Sequence, residues 1–328
     1  MALSKPAISI VTPVWNGLPY IKESVESVLS QHYQDWELLI SDNGSTDGTR
    51  DYLDCLADPR IRVFKQEKNL GIARNFNFLF SKATAPNAYC LCADDHFLPG
   101  GLGKAVEVWN SVSSKTAFIA FDWKWILTHS NLSRYGYTVL PREVLPEISK
   151  LAFFLFGNIT GNISNVSLNV SVVNNYGGLS ENYKMAGDFE MLSRLSRTHN
   201  FILSEVKPAY VRRHESTASN YLNVRGEMFT EVVHVYETLI RELSPYKREQ
   251  LITFFNIQIG SFHLREAVKS ALFGRFTKLK SFVDAQSSIL WPSWKRISIC
   301  LPFALLEAMR MRLLILMARN IYEKRIGA

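Results

Sequence analysis

"YCLCADDHFLPGG", residues 89–101, decides how this chain is read. The apolar run 89–93 stops at two adjacent carboxylates, Asp94 and Asp95, and Pro99, Gly100 and Gly101 follow as a turn. A short apolar run bounded by turn residues reads as a buried strand. Its end delivers two negative charges to one edge of a sheet. Such a pair can hold a hard divalent cation. It can equally be a solvated turn or the cap of the next helix. This stretch alone leaves both open.

Upstream, strand and helix alternate. "ISIVTPV" (8–14) is rich in β-branched residues and breaks at Trp15, Asn16 and Gly17, a turn signal. Ile21, Val25, Val28 and Leu29 then recur at helical spacing. "WELLI" (36–40) reads as the next strand and breaks at "SDNGSTDGT" (41–49). "RIRVFKQ" (60–66) reads as a third, and Gly71 opens a helix with the stripe Ile72, Phe76, Leu79 and Phe80. This alternation implies βαβ units and a mostly parallel α/β sheet. Ligands of such sheets bind beyond the carboxyl ends of the strands. Trp15–Asn16, Asp42–Asn43 and Asp94–Asp95 all fall at that edge. Neither a P-loop Gly-Lys-Ser/Thr nor a Gly-x-Gly-x-x-Gly occurs, which argues against those phosphate-binding motifs.

Downstream, "VSLNVSV" (166–172) alternates like a half-buried strand. "AGDFEMLSRLSR" (186–197) predicts a helix with Asp188 at its start, where a carboxylate also suits the helix dipole without any further role. "PAYVRRHESTAS" (208–219) predicts a short strand entering a polar loop. Arg212, Arg213 and His214 there fit a solvated basic loop, or a diphosphate clamp with the His as a metal ligand. Beyond about residue 222 the pattern is helical. The expected organisation is an α/β domain over 1–220 and a helical region over 221–328.

The chain has 328 residues, 47% of them hydrophobic, enough for a large core and a second module. The net charge of +7 is uneven: residues 265–328 hold 12 Lys/Arg against 4 Asp/Glu. That confined excess fits an anionic membrane surface better than nucleic acid. Around Trp291, Trp294, Lys295 and Arg296, and along Leu305, Met309, Leu313 and Leu316, apolar and basic residues mix. The longest uncharged run there is ten residues and contains Pro302, short of the ~20 that a span needs. Residues 290–328 are therefore expected to pack on the enzyme or to lie in the membrane interface. Cys90 and Cys92 share a strand face and have no second pair, so buried thiols in a reducing cytoplasm are expected rather than zinc. No apolar leader follows the basic start. The six sequons, at Asn43, Asn131, Asn158, Asn162, Asn165 and Asn169, are accordingly expected to carry no glycan.

Taken together, these segments resemble the inverting glycosyltransferases of family 2, with the GT-A fold, over roughly residues 6–219. "SIVTPVWN" is similar to the first strand of that family, "SDNGSTDGT" to its D-D-G-S-T-D-G-T loop and "NLGIARNFN" to its N-x-G segment. "CADDHFLPGGL" is similar to D-x-D-D-x-x-x-P-x-x-L, "GDFEMLSRL" to E-D-x-x-L-x-x-R-L and "YVRRHESTAS" to Y-R-x-H-x-x-S-x-S. The departures are Asn43 for a second acid, Cys92 for the first acid of D-x-D-D and Gly187 for a Glu.

The resemblance implies a GT-A fold, Rossmann-like with a mostly parallel central sheet flanked by helices, carrying a C-terminal helical module. It implies a nucleoside-diphosphate sugar donor held by Thr12, Pro13, Trp15, Asp42, Asn43, Arg74 and Asp94. Asp95 and His214 would hold Mg²⁺ or Mn²⁺, Arg212 and Arg213 would meet the diphosphate, and Asp188 would be the catalytic base. The acceptor would be a saccharide or polyprenyl-linked glycan at the cytoplasmic membrane face, in surface polysaccharide or glycolipid assembly. Two other expectations stand beside it: a sugar nucleotidyltransferase, and a non-catalytic binding module on the same fold.

Overall fold

The computed structural model describes residues 5–128, 131–212, 227–243, 248–284 and 293–326. The chain forms two compact units. Unit 1 comprises Met1–Trp125, Pro141–Glu147 and Thr160–Arg213; unit 2 comprises Ile126–Leu140, Ile148–Ile159 and His214–Ala328. No single cut in the chain separates them.

Unit 1 is built on strands β1 (Ile8–Val14), β2 (Trp36–Asp42), β3 (Ile61–Lys65), β4 (Asn87–Cys90), β5 (His96–Phe97), β6 (Thr116–Ala120), β7 (Glu143–Val144), β8 (Val166–Asn169), β9 (Asn200–Leu203) and β10 (Ala209–Tyr210). Eight of them form one sheet in the order β3-β2-β1-β4-β8-β6-β9-β7. β3, β2, β1 and β4 are mutually parallel, and β6 is parallel to β9. β8 is antiparallel to both β4 and β6, so β1–β4, β6 and β9 all point one way. β5 and β10 form a separate antiparallel pair. β1 and β2 are buried almost throughout, as continuous apolar runs in a covered parallel sheet must be. The sheet is mixed, mostly parallel and GT-A-like, and the C-terminal region is helical, as expected.

The helices are α1 (Tyr20–Leu29), α2 (Thr49–Asp54), α3 (Ile72–Lys82), α4 (Gly101–Asn110), α5 (Asn131–Val139), α6 (Pro146–Phe156), α7 (Val170–Asn175), α8 (Gly187–Leu195), α9 (Glu227–Leu243), α10 (Arg248–Phe255), α11 (Ser261–Leu272), α12 (Thr277–Asp284), α13 (Ser293–Leu305) and α14 (Glu307–Ile326). α1 buries Ile21, Val25 and Val28, and α3 buries Phe76, Leu79 and Phe80. Leu29 and Ile72, expected on those stripes, are exposed.

The "VSLNVSV" strand is also corrected. It stops at Asn169, whose side-chain oxygen accepts from the Val172 amide at 3.2 Å and starts α7. Asn is a strong helix cap, and here it overrides the alternating pattern.

In unit 2, Phe154 packs against Tyr236 and Phe254 at ring separations of 5.5 and 5.6 Å. Tyr322 donates to the Val139 carbonyl at 2.8 Å. α14 buries Leu314, Ala318, Ile321 and Tyr322. That stripe differs from the one through Leu305, Met309 and Leu316, which is exposed.

Candidate active site

Register levels the strand ends. Val14 lies opposite Asp42, and Val11 opposite Cys90. The residues after β1, β2 and β4 therefore leave the sheet at one edge. Trp15 stands there 51% exposed. Asn16 takes a left-handed backbone, with φ of 50°. Its amide donates to Ser45 Oγ at 2.7 Å, and its side-chain oxygen accepts from the Thr46 amide at 2.8 Å. The Gly17 amide donates to Thr49 Oγ1 at 3.0 Å. A Cβ on Gly17 would meet Val14 Cγ2, at the end of β1, at 2.4 Å, so glycine lets the chain turn back closely over its own strand. Thr12 and Pro13 lie within β1, and the buried Thr12 hydroxyl has no hydrogen-bond partner among the described residues.

Asp42 is fully buried. Its carboxylate takes Arg50 Nε at 2.6 Å and the Ser45 amide, so it is built into the loop. Asn43 accepts from the Leu70 amide at 2.8 Å and donates to Asn69 Oδ1 at 2.9 Å. Asn69 Oδ1 also accepts from the Gly71 amide at 2.8 Å. The side chain at 43 must therefore both donate and accept a hydrogen bond, which an amide does and a carboxylate does not. Here lies a physical reason for Asn in place of an acid.

Cys92, Asp94 and Asp95 each offer an atom within 4.8 Å of the others. Ser164 Oγ accepts from the Cys92 amide at 3.0 Å. The Arg212 amide donates to Asp95 Oδ1 at 2.7 Å, and Arg212 Nε donates to the Asp94 carbonyl at 3.0 Å. The β5–β10 pair delivers Arg212 to this point. Its guanidinium also pairs with Glu23 and lies 4.7 Å from the Tyr20 ring centre. Burial pushes the Asp95 carboxyl up to about 6, with the Asp94 charge adding to it; a Ser164 hydrogen bond and Arg212 pull it down. Burial, then Asp95 and Asp94, also hold the Cys92 thiol well above its ordinary range. The thiol thus stays protonated, and the two carboxylates are the oxygen donors that a hard Mg²⁺ or Mn²⁺ prefers. The residues fit such an ion.

Asp188 occupies the first turn of α8, half-buried, with Oδ1 2.7 Å from the Phe189 amide. The 196–199 turn returns the chain from α8 into β9, so α8 starts toward the carboxyl edge. The approach to it is held on the same side. Asn77 exchanges hydrogen bonds with the Leu179 main chain at 2.8 Å each way, and Arg74 Nε meets Glu181 at 2.7 Å. Arg74 and Asn77 lie on α3, whose start follows β3 at that edge. Arg213, His214 and Trp291 lie outside the described residues, as does the Trp294 side chain.

A recess of about 390 Å³ lies elsewhere on unit 1, between Val108, Val112, Ile202 and Glu205. None of the predicted site residues lines it, and its Arg142 is neutralised by Glu205 at 3.5 Å. The sequence reading missed Arg50, Ser164, Glu23 and Asn69. Only Asn69 carried a local signal, as the first residue of the N-x-G segment.

Residues 9–159 match the family described as Glycosyl transferase family 2. This chain therefore carries a glycosyl transferase family 2 domain. TuaG of Bacillus subtilis, named for teichuronic acid biosynthesis, is 36% identical over 120 residues, which is 36% of this chain and 48% of that protein. A Rickettsia felis glycosyltransferase is 26% identical over 251 residues, 74% of this chain and 41% of its own. The chain thus spans less than half the length of these curated relatives. The structure of S. aureus TarS with UDP-GlcNAc superposes with a TM-score of 0.60 at 16% identity, over 98% of this chain and 92% of that one. The mannosyltransferase PcManGT of Pyrobaculum calidifontis, with GDP-Man and Mn²⁺, gives 0.52 at 15%, over 98% and 88%.

Proposed function

We propose that the protein is a metal-dependent inverting glycosyltransferase. It moves a sugar from a nucleoside-diphosphate sugar to an acceptor hydroxyl, in residues 1–220. The observation that supports the reading is the crowding of Asp94 and Asp95 at the strand edge toward which α8, with Asp188 in its first turn, also starts. Trp15 offers an exposed ring for the base of the donor, and the Asn16–Ser45–Thr46 contacts hold that ring's loop in place. Asp42, locked by Arg50, shapes the base pocket together with Thr12, Pro13 and Asn43. Arg74 meets the base or phosphates, and Asp94 the ribose. Asp95 would hold Mg²⁺ or Mn²⁺ with His214, and the bound ion would supply positive charge beside the departing diphosphate. Arg212 and Arg213 add charge-assisted hydrogen bonds to the same phosphates. Asp188 takes the proton from the acceptor hydroxyl, which attacks the anomeric carbon from the far side of the leaving group and inverts it.

The donor class follows what the neighbours bind, UDP-GlcNAc and GDP-Man. The name of TuaG points to a surface polysaccharide as product. A saccharide or polyprenyl-linked acceptor would place the enzyme on the cytoplasmic membrane surface. We read attachment there as peripheral, through basic and apolar residues of the C-terminal region; among the described residues no helix is long and apolar enough to cross a membrane.

The deciding experiment incubates the full chain with UDP-, GDP- and dTDP-sugars, with and without Mn²⁺, and identifies what is released. A nucleoside diphosphate supports the transferase. A parallel incubation with a sugar 1-phosphate and a nucleoside triphosphate that releases pyrophosphate would indicate a nucleotidyltransferase. Metal-independent binding without turnover would leave a binding module.

A further inference from the structure

Unit 2 carries two exposed apolar patches. One is the turn between α11 and α12, where Leu272 is 80%, Phe273 84% and Phe276 63% exposed. The other is the α13–α14 junction, with Leu305 at 74% and Leu306 and Met309 beside it. The patches lie toward opposite ends of α11. Arg296 near the start of α13 donates to the Val283 carbonyl and lies over Phe282, which stacks on Phe229 beside His263. Four residues on, Cys300 reaches the Asn256 carbonyl, before α11 begins. α13 therefore runs against α11, and its end points away from Phe273.

Charge separates the two patches. Around the α11–α12 turn stand Lys269, Arg275, Lys278 and Lys280. A groove of about 310 Å³ beside it is lined by Glu266, Lys269, Ser270, Phe273, Arg275 and Lys278. Glu266 answers Lys269 at 3.1 Å, leaving the groove net positive. At the other patch Arg310 is buried, Arg312 is exposed about one turn beyond Met309, and Arg319 further along α14 is paired with Glu323 at 2.7 Å, so the cations are denser at the α11–α12 turn. The turn itself is closed by backbone hydrogen bonds. Gly274 closes α11 with φ of 76°, the Gly274 amide bonds the Ala271 carbonyl at 2.9 Å, and the Arg275 amide bonds Ser270 at 3.0 Å. Three large apolar side chains are thus presented on a preformed loop inside a ring of cations.

We propose that this turn is a membrane-docking element for an anionic bilayer. Leu272, Phe273 and Phe276 enter the acyl boundary, while Lys269, Arg275, Lys278 and Lys280 meet the phosphate headgroups. A second copy of the chain does not fit the same patch, because a two-fold contact would set four cations against four. The proposal rests on the membrane-side placement given above and moves its contact from residues 290–328 to 269–280. It is independent of the reaction assigned to unit 1.

The test is co-sedimentation of the full chain with vesicles of phosphatidylcholine alone, or with about one third phosphatidylglycerol. Wild type binds the anionic vesicles, less so in high salt, and not the neutral ones. The variant Leu272→Ser/Phe273→Ser/Phe276→Ser loses at least about tenfold in binding. Arg275→Gln/Lys278→Gln/Lys280→Gln loses on the order of a hundredfold. Both keep the wild-type melting temperature and donor hydrolysis, since all six side chains lie outside the unit 1 site. Wild-type binding by both variants overturns the proposal. So does binding abolished only by Leu305→Ser/Leu306→Ser/Met309→Ser, equal binding to neutral vesicles, no vesicle binding, or self-association lost in the first variant. Absence of nucleoside diphosphate release would sink the transferase reading and leave the vesicle result standing.

Discussion

The main-chain amide of Arg212 donates to Asp95 Oδ1 at 2.7 Å, across 117 residues of chain. The carboxylate is held by backbone, so its position survives changes in the Arg212 side chain, while its charge remains poorly solvated.

Asp95→Asn tests that strain. An acid whose folded pKa is raised, here to about 6 from 3.8, costs stability as pH rises through that window. In EDTA at neutral pH the variant should melt higher, by the equivalent of ~1–3 kcal/mol. Its metal-dependent turnover should vanish. A lower melting point would show that the carboxylate is fully compensated.

Asp188→Asn is expected to bind donor almost as wild type and to turn over ~10²–10⁴-fold more slowly, the ordinary worth of a general base. Titration calorimetry with donor and a single-turnover assay separate the two effects. Near-normal turnover would remove Asp188 from the chemistry.

Asn43→Asp restores the family's acid and should weaken the protein. Its carboxylate would face Asn69 Oδ1, which cannot rotate away without releasing the Gly71 amide. A loss of ~1–3 kcal/mol in denaturant unfolding is expected. Unchanged stability would mean that the 69–71 segment tolerates release.

His263 packs against the Phe229 and Phe262 rings, at 4.8 and 5.4 Å. Burial, against the pull of Glu266 and with help from Lys278, holds its pKa down at about 4. The unfolded chain binds the proton first, so stability should fall as pH drops from about 6.5 toward 4. The loss should be ~1–3 kcal/mol and should be absent in His263→Gln. Parallel acid-melting curves for the two proteins would disprove it.

Much of unit 1 was legible because its signals are local. β-branched runs ending in turn residues mark β1 and β2, and the edge they define follows from parallel pairing alone. Asp94 and Asp95 could be placed at that edge from strand period and chain order. Ser164 could not, since its contact with Cys92 depends on β8 entering the sheet antiparallel beside β4. Asp42 was legible as an edge residue but not as Arg50's partner, because the six loop residues 43–48 fold back to make that pair. The α14 stripe misled for a different reason: Leu is frequent on both faces of that helix, and only packing on α5, α13 and the Asn256–Gly260 segment selects Leu314 and Ala318 over Leu316.

The interleaving of the two units governs how the polypeptide can be born. α5 and the apolar side of α6 leave the ribosome long before Tyr236, Phe254 and Tyr322, the residues they pack against, have been translated. The nascent chain must carry Phe154 without those partners through that interval, a natural stopping place for a holdase. Any gene truncated near codon 220 would leave it without them for good, and should yield inclusion bodies rather than a free-standing catalytic fragment.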